Sequence, residues 1–471
     1  MYTVLDHQAP ATFFSSDITT LAGDQLQQLI NIGGLTFYKN YYLNQTINGD
    51  YSVGSPAATY TASRGASNPA TYVDSLGVIQ VTTTSNQPRF TSAIYDSTGR
   101  LSRPGLIMER ASTNIMIRTD GSAIGNVTGG TAWTGWAPEF NTTTTPVYSN
   151  VLVPELSSIS GARSQRIQWS GTATNNNVKI VSSNTAVGSV AQNDVITISG
   201  WIRSQTGNVG AGVKADLEVW IRDSAGTALE INTGANFLDS GVDTTWKRFQ
   251  QSVTATNASA SRMSCKIGCQ AGIDTGDVMD VEYYGIQVEI NSGAATTWIP
   301  TITVGLTRNA DQLSYVISGN MTAATETDFV RFTSFWNGAT PITPNALLDT
   351  DTKRRFIILD NASSDTMAFY PNNTDNAGTV AFMVPDPVAF TNYVLAGAAQ
   401  STGNPNAEMY TDGVSTSTDN DDFTANVWGT NFYIGTTSGG SVFGGVITAV
   451  AFYNRVLTST EVATVTTILN T

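Results

Sequence analysis

The chain has 471 residues, 41% of them hydrophobic and only 13% charged. That length suggests about two to four domains with sizeable cores, and the low charge leaves Thr, Ser, Asn and Gly to supply hydroxyl-rich β surfaces and turns. A formal net charge of −14 repels phosphate and argues against nucleic-acid binding, while a single histidine, His7, argues against histidine catalysis or a histidine-held metal.

The opening stretch MYTVLDHQAPATFF has no basic region followed by an apolar core, so no secretory leader is expected. No apolar run reaches transmembrane length, so no membrane insertion is expected. Residues 17–32, DITTLAGDQLQQLINI, place Ile18, Leu21, Ala22, Leu26, Leu29 and Ile30 on one stripe. This predicts an amphipathic helix capped by Asp17 and ended by Gly33-Gly34. A helix ahead of β-rich sequence needs a partner, either its own domain, sister chains or a larger assembly. ATYVDSLGVIQV at 70–81 predicts a hairpin turning between Asp74 and Gly77. NQPRF at 86–90 and GLIMERASTN at 105–114 follow it.

From 120 to 300 short strands recur between turn signals, as a β-sandwich requires. In DVITISGWIRS, Ile196, Ile198 and Ile202 face one way, and Thr197, Ser199, Trp201 and Arg203 the other. In ADLEVWIRD, Leu217, Val219 and Ile221 oppose Asp216, Glu218, Trp220 and Arg222. In VEYYGIQVE, Tyr283, Gln287 and Glu289 oppose Tyr284, Ile286 and Val288. If these strands share one sheet, its outer face has the make-up of a sugar site, with rings to stack on C–H faces and planar polar groups to take hydroxyls. A protomer interface is enriched in the same residues. Cys265 and Cys269 would sit roughly 13 Å apart along one strand, too far for a disulfide, and read as buried free thiols, with a metal-binding pair as the alternative. The pairs Asp216/Glu218 and Asp280/Glu282 can share a strand face, the minimum for a two-carboxylate glycosidase.

Residues 301–314 look like a linker, and a second β pattern runs from 315 to 471. In it TDG at 411–413 signals a hairpin. STDNDDF brings Asp419, Asp421 and Asp422 into one loop, either a solvated loop or an oxygen-rich Ca²⁺ site. LTSTEVATVTTIL predicts a closing helix with Thr458 and Glu461 as a capping box.

SRGASNPATYVDSLGVIQ at 63–80, then NQPRF, then GLIMERASTNI resemble, in that order, the wrap that precedes a jelly roll in bacteriophage fibre and appendage proteins. The stretch ending in YYGIQVEINSGAATTWIPT resembles the carbohydrate-binding jelly rolls that follow the wrap. TDGV, YIGTTSG and FGGVITAVAFYNRVLTSTEV are similar to the concanavalin A-like, laminin-G class. The likeness covers about residues 59 to 471 and implies a mostly β chain with two antiparallel β-sandwich domains. These would be a jelly roll at 119–300 and a concanavalin A-like lectin fold at 315–471. A helix-containing virion-attachment segment at 1–58 and a wrap connector at 59–118 would precede them.

The resemblance further implies a homotrimer in a virion, assembled in the bacterial cytoplasm. It would contact other virion proteins through its N-terminal segment and host-surface glycans through its outer domains. No cofactor beyond Ca²⁺ is expected. Hydrolase relatives of the laminin class carry Glu-x-Asp-x-x-Glu, a run missing here, so a non-enzyme is expected. A glycan-binding adhesin outside any virion and a glycoside hydrolase or depolymerase are the alternatives. Within the wrap, Glu109 reads as the partner of an arginine, with Arg64, Arg89 and Arg110 as candidates. Leu106, Ile107 and Met108 read as the buried pins of that structural joint.

Overall fold

The computed structural model describes residues 15–41, 52–54, 59–62, 68–116, 136–140, 142, 144–172, 176–182, 189–205, 216–233, 244–273, 275–301, 304–322, 325–337, 346–350, 354–359, 366–371, 381–382, 387–401, 405–420, 429–438 and 441–471. Period-two alternation buries one face of strands such as Val147–Leu152, whereas central strands such as Val278–Ile290 are buried on both faces. The strands pair antiparallel into sheets that stack as two sandwiches.

The first sandwich has two five-stranded sheets. One runs Val147–Leu152, Arg163–Ser170, Val278–Ile290, Val195–Ser204, Lys247–Thr254. The other runs Ala228–Thr233, Asp216–Arg222, Arg262–Ile273, Asn176–Ser182, Trp136–Phe140. Ile167, Trp169, Ile196, Ile198 and Phe249 of the former meet Leu217, Val219, Ile221, Met263 and Ile267 of the latter. Cys265 is buried in this core. The Cys269 side chain lies outside the described residues.

The second sandwich stacks a nine-stranded on a seven-stranded sheet. The nine-stranded sheet is organised around Gly445–Tyr453, which is buried along its whole length. Thr325–Ser334 pairs with one edge of that strand. Its other edge takes two strands end to end. Leu35–Asn40 lies along residues 449–453, and the end of Gly99–Met108 lies along residues 445–447. A Cβ on Gly105 would stand 2.5 Å from the Ile447 carbonyl oxygen, so only glycine permits this pairing. The seven-stranded sheet includes Thr59–Thr61, Gln312–Val316, Asn431–Ile434 and Ala346–Thr350. Between the sheets lie Phe37, Met108, Leu313, Val330, Phe332, Leu348, Phe432 and Val450.

The backbone therefore corrects the linear division into segment, connector, jelly roll, linker and lectin domain. Residues 35–61 and 90–108 supply strands to the last sandwich. Within the expected linker, Leu306–Arg308 pairs with Ser112–Asn114, and Gln312–Val316 pairs with Thr59–Thr61. The first sandwich is thus inserted into the second, and its way in and its way out pair as a neck. Local patterning cannot report such pairings, because their partners are up to about 400 residues away in sequence.

The first helix, Ser15–Ile32, ends at Gly33, whose N–H closes on Ile30 O. It is not an unpartnered attachment helix. Leu29 is fully buried with Tyr38, Leu457, Val462, Val465 and Leu469, and Leu26 and Ile32 pack beside them. The Tyr453 hydroxyl donates to Leu29 O, Arg455 donates to the Ile32 and Gly33 carbonyls, and the Gln25 amide donates to the Thr471 hydroxyl. Ile30, expected on the stripe, is 44% exposed. The last helix, Ser459–Asn470, forms with the expected Thr458/Glu461 capping box. Leu29→Ala should cost the full chain about 2–4 kcal/mol in urea unfolding; a loss within experimental error would show that the helix is not part of the folded body.

Candidate functional site

The two tryptophan strands belong to different sheets, and their non-core faces meet different fates. Trp201 is only 3% exposed. It packs with Ile79, Val153, Leu156, Tyr284 and Trp298, standing edge-on to Tyr95 and Trp298 at 6.3 and 6.2 Å between centroids. Arg203 pairs with Glu282 at 3.0 Å and with Glu155 at 2.9 Å, its guanidinium 4.5 Å over the Trp246 ring. Gln287 is fully buried; its amide donates to Glu289, and its oxygen accepts from the Ile299 N–H. This face is covered by the wrap, by Val153 and Leu156 and by the irregular exit segment that carries Trp298, so it is an interface within one chain and not an open sugar platform.

Tyr283 departs from its expected side. It lies in the core with Ile286 and Val288, while Tyr284 faces Trp201. The cause is a bulge. Opposite Ser199–Trp201 the partner strand fits one residue more, and Gly285 takes φ +61°. The extra residue shifts the alternation of side chains by one. A Cβ on Gly285 would stand 2.8 Å from the Trp201 ring.

On the second sheet Trp220 is half-buried on the face away from the core. Its indole N–H donates to Glu218 Oε2 at 2.9 Å. The Lys266 ammonium and the Arg222 guanidinium lie 3.9 and 4.8 Å from its ring centroid. Lys266 also pairs with Glu139 at 3.0 Å, and Arg222 donates to the Ser264 hydroxyl. Cation–π contacts of this kind hold the ring in place and compete with a sugar for its faces. Of Asp216, only the backbone is described.

The carboxylates that share a strand face are tied down. Arg166 donates to both Asp280 oxygens at 2.7 and 2.6 Å. Glu282 accepts from Arg203, from the Ser164 hydroxyl at 2.9 Å and from the Gln205 amide at 2.6 Å. Asp419 ends the strand Val414–Asp419, whereas Asp421 and Asp422 lie outside the described residues. Among the described residues no group of three or more His, Cys, Asp or Glu could hold a metal ion.

The wrap residues converge at the neck. Arg89, Glu109, Arg308 and Asp311 are all fully buried, two cations against two anions. Glu109 accepts from Arg89 at 2.9 Å, pairs with Arg308 at 3.1 Å and takes the Thr297 hydroxyl at 2.6 Å and the Thr297 N–H. Arg89 also donates to Asp311 and to the Thr71 carbonyl. Asp311 in turn accepts the Glu109 N–H at 3.0 Å and the Tyr60 hydroxyl at 2.6 Å. Leu106 and Met108 pin the core of the second sandwich, and Ile107 packs with Ile94, Phe335 and Val446. Arg110 does not join the cluster; its side chain donates to the Ser292 carbonyl. Arg64 lies outside the described residues. Sequence reasoning missed Arg308, Asp311 and Thr297, which lie some 200 residues further on and carry no local motif. Nothing local marked them: the supposed linker carries one arginine and one aspartate, a charge content close to that of the chain as a whole.

Burial alone would raise the Glu109 carboxyl, but Arg308, Arg89 and the two Thr297 donors outweigh it and hold the group at about 2, against an ordinary 4.5. Burial likewise works against the Arg89 charge, and the Asp311 and Glu109 carboxylates more than offset it, so its pKa is raised.

Residues 315–463 match the family described as the concanavalin A-like lectin/glucanases superfamily. No curated protein matches the chain. Among solved structures, an arabinose-bound α-L-arabinofuranosidase is similar at 13% identity and TM-score 0.26, over 38% of this chain and 26% of that one. The enzymatically active domain of tailspike protein 4 from bacteriophage CBA120 is similar at 9% identity and TM-score 0.27, over 38% and 21%. The family 11 carbohydrate-binding module from Clostridium thermocellum is similar at 9% identity and TM-score 0.23, over 41% and 99%. The chain thus spans about a quarter or less of the first two. Likenesses this weak assign nothing to the chain.

Glu109→Ala leaves two buried cations short of an anion and should destabilise the full chain by about 3–5 kcal/mol in denaturant unfolding. Folding depresses the Glu109 pKa, so its contribution is complete above about 4.5 and is lost as pH falls towards about 2. Wild-type stability should therefore fall across that window, and Glu109→Gln should flatten the fall. An equal fall in both proteins would remove Glu109 as its source.

Proposed function

We propose that this chain is a non-catalytic component of a bacteriophage particle, a homotrimeric tail or head fibre, whisker or decoration, whose two sandwiches engage host-surface glycans. The supporting observation is the neck. The ordered wrap segments that resemble phage appendages fold into a buried ionic joint, and that joint clamps an inserted sandwich onto a concanavalin A-like one. A fixed presentation of two β-sandwiches suits adhesion. A lectin-class fold supports glycans as the ligand class. The ion-paired Asp280 and Glu282 support a binding role over hydrolysis. Leu26, Leu29 and Ile32 of the first helix pack on its own domain, so contact with other particle components uses surfaces other than these three side chains.

An array of bacterial surface glycans probed with the full chain should show specific binding; an array blank at high protein concentration would leave an architectural role only. Mass measurement in solution should return three times the protomer mass, and a monomer at high concentration would overturn the trimer. Release of reducing ends from bacterial polysaccharide would overturn the non-catalytic assignment.

A further inference from the structure

Two strands lie end to end along Gly445–Tyr453, and a break is left between them. Beyond Asn40 the first strand stops, and the second begins its pairing only at Leu106. Under this break a groove of about 480 Å³ opens between the two sheets. That volume falls in the range of about 300–1,000 Å³ typical of small-molecule sites. Tyr41, Tyr315, Phe90, Leu106 and Leu313 line it, with Tyr60 and Pro88 alongside and Lys39, Thr59 and Asn86 as polar groups.

The polar groups decide what could fill it. The Tyr41 and Tyr315 hydroxyls are 3.1 Å apart and buried, so one spends its proton on the other. The pair keeps a second O–H and lone pairs to offer. Burial raises the Tyr41 phenol, and it raises Tyr315 to about 12. Both therefore meet a ligand as neutral hydroxyls. The Asn86 side-chain oxygen accepts from the Ala62 N–H, which leaves its NH₂ group. An aliphatic occupant would cover these groups without replacing their hydrogen bonds. A saccharide has C–H faces for the half-buried rings of Tyr60 and Phe90, and hydroxyls for Asn86, Thr59 and the Tyr–Tyr pair at the groove floor.

We propose that this groove is the saccharide-binding site of the chain, taking a short oligosaccharide segment against the half-buried rings of Tyr60 and Phe90, over a floor formed by the buried Tyr41–Tyr315 pair. The proposal rests on the glycan-binding assignment above and names its site, which lies mainly outside the residues matched to the lectin family. Tyr60 gives the site a fixed wall, because its hydroxyl is tied to Asp311 of the neck.

The test uses the full chain on an array of bacterial surface oligosaccharides, followed by titration of the strongest binder. Thr59 is exposed at the rim, so Thr59→Trp should block the groove without entering the core. It should weaken binding at least about tenfold with an unchanged melting temperature. Tyr315→Phe, which keeps the ring and removes one hydroxyl, should weaken it by about three- to tenfold. Trp220→Ala should leave it unchanged. Binding retained by Thr59→Trp, or lost only in Trp220→Ala, overturns the groove and leaves the glycan-binding assignment standing. No binding by the wild-type chain overturns both.

Discussion

Four buried charges hold this molecule together. Arg89 and Glu109 come from the wrap, Arg308 from the strand Leu306–Arg308, Asp311 from the segment between it and Gln312–Val316, and Thr297 from the exit of the inserted sandwich. A buried ion cluster is a weak source of net stability, because desolvation offsets much of the attraction. It is a strong source of register. Removing any one member strands a charge in the core, so mispaired arrangements of the neck are penalised. The neck has only three residue pairs in its ladder, too few to define the join without help.

That join explains how a long insertion coexists with an intact second sandwich. The chain enters through Ser112–Asn114 and leaves through Leu306–Arg308, side by side. The second sandwich therefore sees the insertion as one closed loop, whose closure entropy grows only slowly with its length. Strand Gly445–Tyr453 can then recruit Leu35–Asn40 and Gly99–Met108 from the other end of the sequence. The two terminal helices pack together on the same sheet for the same reason.

The seam between the sandwiches consumes the aromatic face that looked most like a ligand platform. Trp201, Tyr284 and Trp298 form a buried aromatic group there, and the bulge at Gly285 brings Tyr284 into it in place of Tyr283. Trp220 remains towards solvent, but it is embraced by Lys266 and Arg222. The enriched residue types were those of an interface, and the partner is the same chain. The groove is the opposite case. Its residues come from five separate stretches between Lys39 and Tyr315, none of which has a sugar-site pattern by itself.

By itself the sequence determined what depends on near neighbours: the alternation that makes strands, the Asp74–Gly77 and Thr411–Gly413 hairpins, the Thr458/Glu461 capping box and the amphipathic first helix. It also marked Glu109 as a fastening group, because it follows the hairpin and NQPRF in the order that resembles the phage wrap, with no second carboxylate motif or histidine beside it. Only the tertiary structure decided which strands share a sheet, which arginine meets Glu109, and which face of each sheet stays open. Side-chain alternation has a period of two whatever the partner strand, so it carries no information about pairing. A one-residue bulge such as that at Gly285 reverses every face beyond it. Partners separated by hundreds of residues are selected by burial and charge balance in the assembled core, quantities that exist only once the chain has folded.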